Sequence, residues 1–235
     1  MSSPNFSDPK PSLTPWAIWI PIIIAVLGVV VFYNYLIAMQ QQAASEEKDR
    51  PAILGRLERD LELTERNGKT VHLEELRGKI LLASWVYTRC PRGCAGVIAK
   101  LKKLQDEYRG NPNIHFVSFT LDPADTPEMM NKFASGIDVK ETDPWWFVQG
   151  EKDEVRRYMT QFLKFRPVQD LPEADRLSPD DKYIHDLRVA LVDHKGHVRG
   201  TLYDLMNADP EFQNHFEAQL RKDLNYILKE KEKGQ

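Results

Sequence analysis

The longest apolar stretch of the chain lies near its N-terminus. Residues 16–39 read WAIWIPIIIAVLGVVVFYNYLIAM and carry no charged side chain. About 20 such residues cross the hydrocarbon core of a bilayer. Aromatic side chains, which favour the membrane interfaces, stand at both ends: Trp16, Trp19, Tyr33 and Tyr35. The pattern predicts a retained anchor with Pro21 in its first turn. A cleaved signal peptide is the alternative, but no small-x-small cleavage site follows the stretch.

After a polar segment, short apolar runs alternate with stretches of helical periodicity. Residues 79–87 (KILLASWVY) and 113–121 (NIHFVSFTL) are nearly continuous apolar runs, which are typical of strands buried on both faces. Further strands are predicted at residues 144–149, 187–193 and 197–203, the last two as a closing hairpin. Helices are predicted at residues 97–108, 127–134 and 153–165 and after residue 210. The alternation predicts an α/β domain of the thioredoxin-like kind, a mixed central sheet flanked by helices.

Three local signals refine this pattern. Pro127 suits the first turn of its helix, with Asp125 or Thr126 as the cap. The last helix opens at Asp209 and Pro210 and has apolar residues on one face: Phe212, Phe216, Leu220, Leu224 and Ile227. Residues 165–183 are polar and rich in Pro and Asp, which predicts a loop or a weak hairpin.

Length and charge bound the organisation and the partners. The 235 residues leave room for one medium domain beside the anchor. We predict a short N-terminal tail at residues 1–15, the transmembrane anchor at 16–39, a linker at 40–53 and the thioredoxin-like domain at 54–235. The formal net charge of −3 argues against a nucleic-acid partner, because a phosphate binder usually shows a basic face.

Cys90 and Cys94 are the only cysteines of the chain. They lie between a buried strand and a helix start, where backbone N–H groups and the helix dipole favour a thiolate. Arg89 and Arg92 add positive charge beside them. The two sulfurs fall about one helical turn apart and can face one point. This spacing fits a redox pair or two thiolates on one soft metal ion, while a pair of inert buried cysteines is the third reading.

One of the six histidines stands out by its position. His185 ends a long loop and directly precedes the strand at residues 187–193. In a thioredoxin-like sheet, that loop passes beside the helix start that carries the cysteines. Of the other five, His115 is predicted to be packed inside a strand. His194 and His197, which flank a turn, are predicted to be solvated, and His72 and His215 to lie at the surface.

A site of two thiolates and one imidazole would be soft and low in coordination number. Such a set favours Cu(I) and also binds Cu(II). Zinc usually takes a fourth ligand, and the chain has no third cysteine to supply one.

Four features of the chain resemble the Sco/SenC family of copper-binding assembly factors for cytochrome c oxidase. GKILLASWVYTRCPRGC is similar to the family's strand, turn and CPxxC segment. LDPADTPEMMNKF is similar to its DPxxDTPE segment, and WWFVQG to its WxFLTG strand. The spacing from His185 to Asp193 matches that from the family's metal-binding histidine to the acidic residue that ends the next strand. The resemblance runs from about residue 54 to about residue 228.

Matched residue by residue, the resemblance implies that Cys90, Cys94 and His185 are the copper ligands. Asp122 and Asp125 match the acidic positions of the DPxxDTPE segment. We expect these two carboxylates to cap the following helix rather than to support the site electrostatically.

The chain departs from the family pattern at two positions. Ala95 stands where the family usually has a proline after the second cysteine. Ile184 precedes the histidine where the family commonly has aspartate, and Asp186 follows it. These departures leave the three ligands in place.

The resemblance implies a metallochaperone rather than an enzyme. It would pass copper to the binuclear centre in the copper-bearing subunit of cytochrome c oxidase, and a thiol reductant or another copper chaperone would prepare it. The alternative is a thiol–disulfide oxidoreductase that uses Cys90 and Cys94 as a redox pair to reduce the oxidase cysteines. A membrane-tethered interaction domain without chemistry is a third reading.

The same resemblance, with the anchor, predicts where the protein acts. The family has an N-terminal anchor and a domain facing the periplasm or the intermembrane space. Because no Arg-rich transit peptide precedes residues 16–39, we expect the inner membrane of a bacterium, crossed once, with the domain in the periplasm.

Overall fold

The computed structural model describes residues 15–91 and 94–234, and only the backbone of residues 15, 17, 18, 43–46 and 94. Nearly all of the predicted tail at residues 1–15 lies outside the described residues. The chain divides into two compact units, Met1–Asp49 and Arg50–Gln235. The functional boundaries at residues 15, 39 and 53 stay predictions.

The first unit contains one long helix, α1 (Pro15–Lys48). Its segment Trp19–Gln42 is long and apolar enough to cross a membrane. The placement of Pro21 in the first turn was wrong, because the helix begins at Pro15 and Pro21 lies inside it. The first-turn proline is therefore Pro15, and Pro21 removes one N–H from the helix interior.

The second unit is built on an eight-stranded mixed sheet. Its strands are β1 (Ile53–Arg56), β2 (Glu62–Glu65), β3 (Thr70–His72), β4 (Ile80–Val86), β5 (Ile114–Thr120), β6 (Trp145–Gln149), β9 (Val189–Val192) and β10 (His197–Tyr203). Their spatial order is β1-β10-β9-β4-β5-β6-β2-β3. β4, β5 and β6 are parallel, and the outer pairs are antiparallel. The predicted thioredoxin-like α/β fold is confirmed.

Two smaller strands lie outside the main sheet. β7 (Gln169–Asp170) pairs with β8 (Tyr183–Ile184) in an antiparallel ribbon. The ribbon confirms the weak hairpin predicted for residues 165–183, and His185 follows its second strand directly.

Helices cover both faces of the main sheet. They are α2 (Cys94–Glu107), α3 (Pro127–Gly136), α4 (Lys152–Gln161) and α5 (Pro210–Glu232). Successive side chains of β4 point to opposite faces of the sheet. Leu82 packs with α2, α3 and α5 on one face, whereas Ala83 packs with α4 on the other. A strand buried on both sides needs apolar residues at every position, which explains the continuous apolar run in the sequence.

The predicted apolar face of α5 is correct except at its start. Leu220, Leu224 and Ile227 are buried, and Phe216 packs partly against the same core. Phe212 is 58% exposed, because the first turn of α5 extends beyond the sheet-facing core. The helix opens at Asp209 and Pro210 as predicted, and Asp209 caps it by accepting a hydrogen bond from the N–H of Glu211.

Polar groups are also buried near the other end of α5. Arg199 donates to Asp193 at 2.7 Å and to Glu230 at 2.9 Å. Nearby, the hydroxyl of Tyr203 donates to the buried carboxylate of Asp223. These contacts satisfy charges that would otherwise be costly to bury.

Candidate metal centre

Cys90 lies in the turn that joins β4 to α2. Its N–H donates to the carbonyl of Tyr87 at 3.1 Å, and α2 begins four residues later at Cys94. The Cys90 side chain is half-buried and packs against the core on the α4 side. The unshared N–H groups and the dipole at a helix start favour a thiolate here. Arg92 and the side chain of Cys94 lie outside the described residues.

His185 reaches the same place from the neighbouring strand. It follows β8 and precedes β9, which runs antiparallel to β4 with Val189 opposite Ser84. The start of β9 therefore lies beside the end of β4. The result is a distance of 3.9 Å between Nε2 of His185 and Sγ of Cys90. The structure thus brings together two of the three predicted ligands.

A backbone contact orients the His185 ring. Its Nδ1 lies 3.0 Å from the carbonyl oxygen of Asp186. A carbonyl oxygen only accepts, so Nδ1 carries the proton. In the neutral ring the lone pair is then on Nε2, the atom nearest the Cys90 sulfur. The Nε2 lone pair therefore faces the Cys90 sulfur, where it can accept a hydrogen bond from the thiol or bind a metal ion.

The carboxylate of Asp186 holds this backbone in place. It accepts hydrogen bonds from the N–H of Arg166 at 3.0 Å and from Nε of Arg188 at 2.7 Å. Burial would by itself raise the pKa of Asp186, but these hydrogen bonds and the Arg188 charge hold it below its ordinary value. Asp186 is therefore ionised at neutral pH, and it fixes the segment that starts at His185.

The spacing of the two donors fits a metal ion. A metal–thiolate bond is about 2.3 Å and a metal–imidazole bond about 2.0 Å for an ion such as zinc, so their sum exceeds the 3.9 Å between the two atoms. One ion can therefore contact both. Among the side chains that the structure describes, no group of three His, Cys, Asp or Glu is placed to hold a metal. A three-donor site requires Cys94, whose assignment as a ligand stays a prediction.

The expectation that Asp122 and Asp125 cap α3 was wrong. The other predicted cap, Thr126, is confirmed, because its side chain accepts a hydrogen bond from the N–H of Met129. The Asp125 carboxylate instead accepts from the N–H of Thr88 at 3.1 Å and from the hydroxyl of Thr120 at 2.6 Å. Its side chain is fully buried, and the Thr88 hydroxyl also donates to it. Asp125 thus anchors the turn that carries Cys90.

Arg89 also differs from its expected behaviour. Its guanidinium donates to Asp122 at 2.8 Å and to Asp180 at 3.1 Å, and it lies 3.9 Å from Asp125. Lys182 lies 3.7 Å from Asp122. Three carboxylates thus surround two cations. The positive charge that the sequence places beside Cys90 is therefore paired with these carboxylates.

Sequence reasoning missed Tyr87 and Asp180. The Tyr87 hydroxyl donates to the carbonyl oxygen of Asp180 at 2.6 Å, and its ring packs edge-on against Tyr183. Burial, followed by the charge of Asp122, raises the pKa of Tyr87. Tyr87 reads as the last residue of a buried strand and Asp180 as one of many loop carboxylates, so the sequence held no signal for this pair.

Four of the remaining histidines lie near other features. His115 in β5 packs against Trp146, with 5.0 Å between the ring centroids, and burial lowers its pKa to about 4. His72 contacts Asp60 at 2.7 Å, and His197 lies 3.3 Å from Asp193. His215 is exposed on α5 beside Phe216. These contacts agree with the packed and surface positions predicted for His115, His72 and His215, but His197 is more buried than expected.

Comparison with known proteins agrees with the fold. A family model described as SCO1/SenC matches residues 51–218, more than half of the chain. The SCO1 protein homolog of Bacillus subtilis (strain 168) is 30% identical over 135 residues, which cover 56% of this chain and 66% of that protein. The chain therefore spans just under two thirds of the length of this relative.

Solved structures share the architecture. BsSco, described as a member of the Sco family of cytochrome c oxidase assembly proteins, gives a TM-score of 0.56 at 24% identity, with 74% of this chain and 96% of that chain covered. Arabidopsis thaliana ScoI with copper bound gives 0.53 at 17% identity, with 70% and 98% covered. At these identities the likeness concerns the fold. Together with the family model over residues 51–218, it establishes that the chain belongs to the SCO1/SenC family.

Proposed function

We propose that this protein is a membrane-anchored copper chaperone that binds Cu(I) through Cys90, Cys94 and His185. The observation that carries the proposal is the 3.9 Å approach of His185 Nε2 to Cys90 Sγ, with the other ring nitrogen held by a carbonyl. A thiolate at a helix start and a neutral imidazole are ligands that a soft, low-coordinate ion accepts. Cys94, at the first position of α2, supplies the third donor.

The relatives support copper as the cargo. Arabidopsis thaliana ScoI has been solved with copper bound, and BsSco is described as belonging to a family of cytochrome c oxidase assembly proteins. The partner we propose is the copper-bearing subunit of cytochrome c oxidase. Its cysteine thiolates would replace the donors of the chaperone one at a time, so that copper is never released to water. A thiol reductant or another copper chaperone would load the reduced site.

The anchor supports a location at a membrane. The segment Trp19–Gln42 satisfies the length and apolarity of a single span. We propose that it holds the domain on the periplasmic side of a bacterial inner membrane, where the copper centre of the oxidase is assembled.

Copper binding by the reduced full-length chain in detergent micelles tests the proposal. Competition with a Cu(I) chelator gives the affinity of the parent, of Cys90→Ser, Cys94→Ser and His185→Ala, and of the control His215→Ala on the exposed face of α5. Each ligand variant is expected to bind Cu(I) at least about tenfold more weakly, and the control to match the parent. A parent-like affinity in His185→Ala would refute the three-ligand site.

A second candidate function is thiol–disulfide exchange by Cys90 and Cys94. It is favoured by their position at the start of α2, where the dipole activates an attacking thiolate. The name given to the BsSco structure, which speaks of a disulfide switch, points the same way. Reduction of an oxidase-derived disulfide peptide, measured with and without a copper chelator, separates the two functions. Exchange needs both cysteines but neither His185 nor copper.

A further inference from the structure

One arginine joins the turn that carries Cys90 to the segment that leads to His185. Arg89 directly precedes Cys90. It donates from Nη2 to Asp122 at 2.8 Å and from Nη1 to Asp180 at 3.1 Å. We call Arg89 with these two carboxylates the Arg89 bridge.

The two ends of the bridge differ in burial. The Asp122 side chain is 4% exposed and accepts a further hydrogen bond from the N–H of Ala124. The Asp180 side chain is 44% exposed and lies in the loop between β7 and β8. Asp122 is therefore a fixed point of the core, and the bridge ties a surface loop to it.

A short ordered path leads from Asp180 to His185. Tyr183 and Ile184 form β8, which is paired with β7, and His185 follows at once. The Tyr87 hydroxyl also holds the Asp180 carbonyl, while its ring contacts Tyr183. Asp180 is thus connected to the imidazole through the Tyr87 contacts and β8.

Resting on the proposed copper function, we propose that Arg89 is a positioning residue that sets the approach of His185 to Cys90. The planar guanidinium presents donors in two directions and can hold Asp122 and Asp180 together. A lysine ammonium keeps the charge but is a single compact centre on a flexible stem. The bridge therefore depends on the shape of the arginine as well as on its charge.

A different explanation would make Arg89 only a counter-ion for buried carboxylates. The side chains of Asp122 and Asp125 are 4% and 0% exposed, and leaving them uncompensated would destabilise the fold. Asp180→Asn separates the two explanations. It removes the charge from the exposed end of the bridge and leaves Arg89 beside both buried carboxylates.

The experiment compares Asp180→Asn and Arg89→Lys with the control Arg77→Lys in the reduced full-length chain in micelles. Arg77 pairs with Glu74 at 3.3 Å, and its side chain is 81% exposed. Cu(I) affinity from chelator competition is expected to fall about tenfold in both bridge variants and to stay unchanged in the control. In a His185→Ala background, Asp180→Asn should cause no further fall, because the bridge acts through the imidazole.

A metal-free measurement accompanies the affinities. The nuclear Overhauser effect between the side-chain protons of Cys90 and His185 reports their separation, and it should weaken severalfold in Asp180→Asn but not in Arg77→Lys. An unchanged affinity and Overhauser effect in Asp180→Asn would overturn the positioning role. An equal loss of affinity with and without His185 would overturn it as well.

These readouts keep the two proposals apart. If the parent binds Cu(I) through His185 while Asp180→Asn behaves like the parent, the positioning role of Arg89 is refuted and the copper-chaperone proposal is retained. If the parent binds no Cu(I), the chaperone fails, and the Overhauser effect alone decides the bridge.

Discussion

The buried carboxylate of Asp125 receives both the backbone N–H and the hydroxyl of Thr88, two residues before Cys90. Thr120, at the end of β5, donates to the same carboxylate. Two neighbouring parallel strands are thus joined where their carboxyl ends meet, which is the edge where ligand sites of open α/β sheets lie. The turn that carries Cys90 is therefore held by the Asp125 side chain as well as by its direct connection to β4.

The replacement Asp125→Asn should destabilise the domain. The amide presents a donor to groups that are themselves donors, so we expect a loss of about 2 kcal/mol in the free energy of unfolding. Urea unfolding of the reduced protein, followed by tryptophan fluorescence, measures it. Asp170→Asn on the exposed ribbon serves as the control, with an expected change within about 0.5 kcal/mol. Equal unfolding midpoints for the two variants would contradict the anchoring role of Asp125.

Tyr87→Phe removes one hydrogen bond and keeps the ring. The lost bond to the Asp180 carbonyl is expected to lower the unfolding free energy by about 1 kcal/mol. Tyr108→Phe is a matched control, because its hydroxyl contacts Asn225 at the surface at 2.9 Å, where water can replace the bond. A loss in the control as large as that in Tyr87→Phe would show that burial of the hydroxyl is unimportant.

Stability should depend on pH through His115. Burial, together with the Lys79 charge, lowers the pKa of His115 to about 4, whereas the unfolded chain protonates near its ordinary value of 6.5. Between these values the unfolded state binds the extra proton, so stability falls as the pH drops through this window and levels off below about pH 4. At pH 5 the effect amounts to about 2 kcal/mol.

The variant His115→Gln isolates this contribution. The drop in unfolding free energy from pH 7 to pH 5, measured with urea, is expected to be smaller in this variant than in the parent. His215→Gln, at the surface, should retain the parent's drop. A drop in His115→Gln as large as that of the parent would rule out His115 as its source.

Gly200→Ala should be among the most damaging single substitutions. The backbone at Gly200 has φ +74°, and a Cβ there would lie 2.2 Å from the Tyr203 hydroxyl oxygen and 2.7 Å from a carboxylate oxygen of Asp223. It would separate the buried pair that these two residues form, so a loss above about 3 kcal/mol is expected.

Gly68→Ala provides the matched control for the backbone term. Gly68 has φ +82°, but no atom lies within 4 Å of the position that an alanine methyl group would take there. Only the left-handed conformation is then penalised, at about 1–2 kcal/mol. Thermal or urea unfolding of the two variants separates backbone strain from steric overlap. Equal losses in the free energy of unfolding would show that overlap with Tyr203 contributes nothing.

The buried half of the fold was readable from the sequence, whereas the edge strands were not. β4 and β5 are continuous apolar runs, and such runs have few alternatives in a domain of this size. β1, β2 and β3 are three or four residues long, and β1 is largely exposed at the sheet edge. They also lack the continuous apolar runs of β4, β5 and β9, so the chain carries little local signal for them.

The approach of His185 to Cys90 was predictable from the sequence, but the residues that hold their two segments in place were not. Cys90 could be placed from the strand-to-helix junction, and His185 from the loop that precedes β9. The partners of Asp125 and Arg89 come from segments distant in sequence, and carboxylates near a helix start are usually caps. Here the threonine next to Asp125 caps α3, which leaves Asp125 for the neighbouring strand.

The antiparallel pairing of β9 with β4 also governs when the site can exist. Cys90 and His185 are 95 positions apart in sequence, and α2, α3 and α4 all intervene. Bringing them together requires closure of a long loop. The entropic cost of that closure is offset only when the strands of the central sheet have paired. A nascent or partly folded chain therefore presents cysteine thiols without their imidazole partner. The close approach of His185 to Cys90 is therefore a property of the completely folded domain alone.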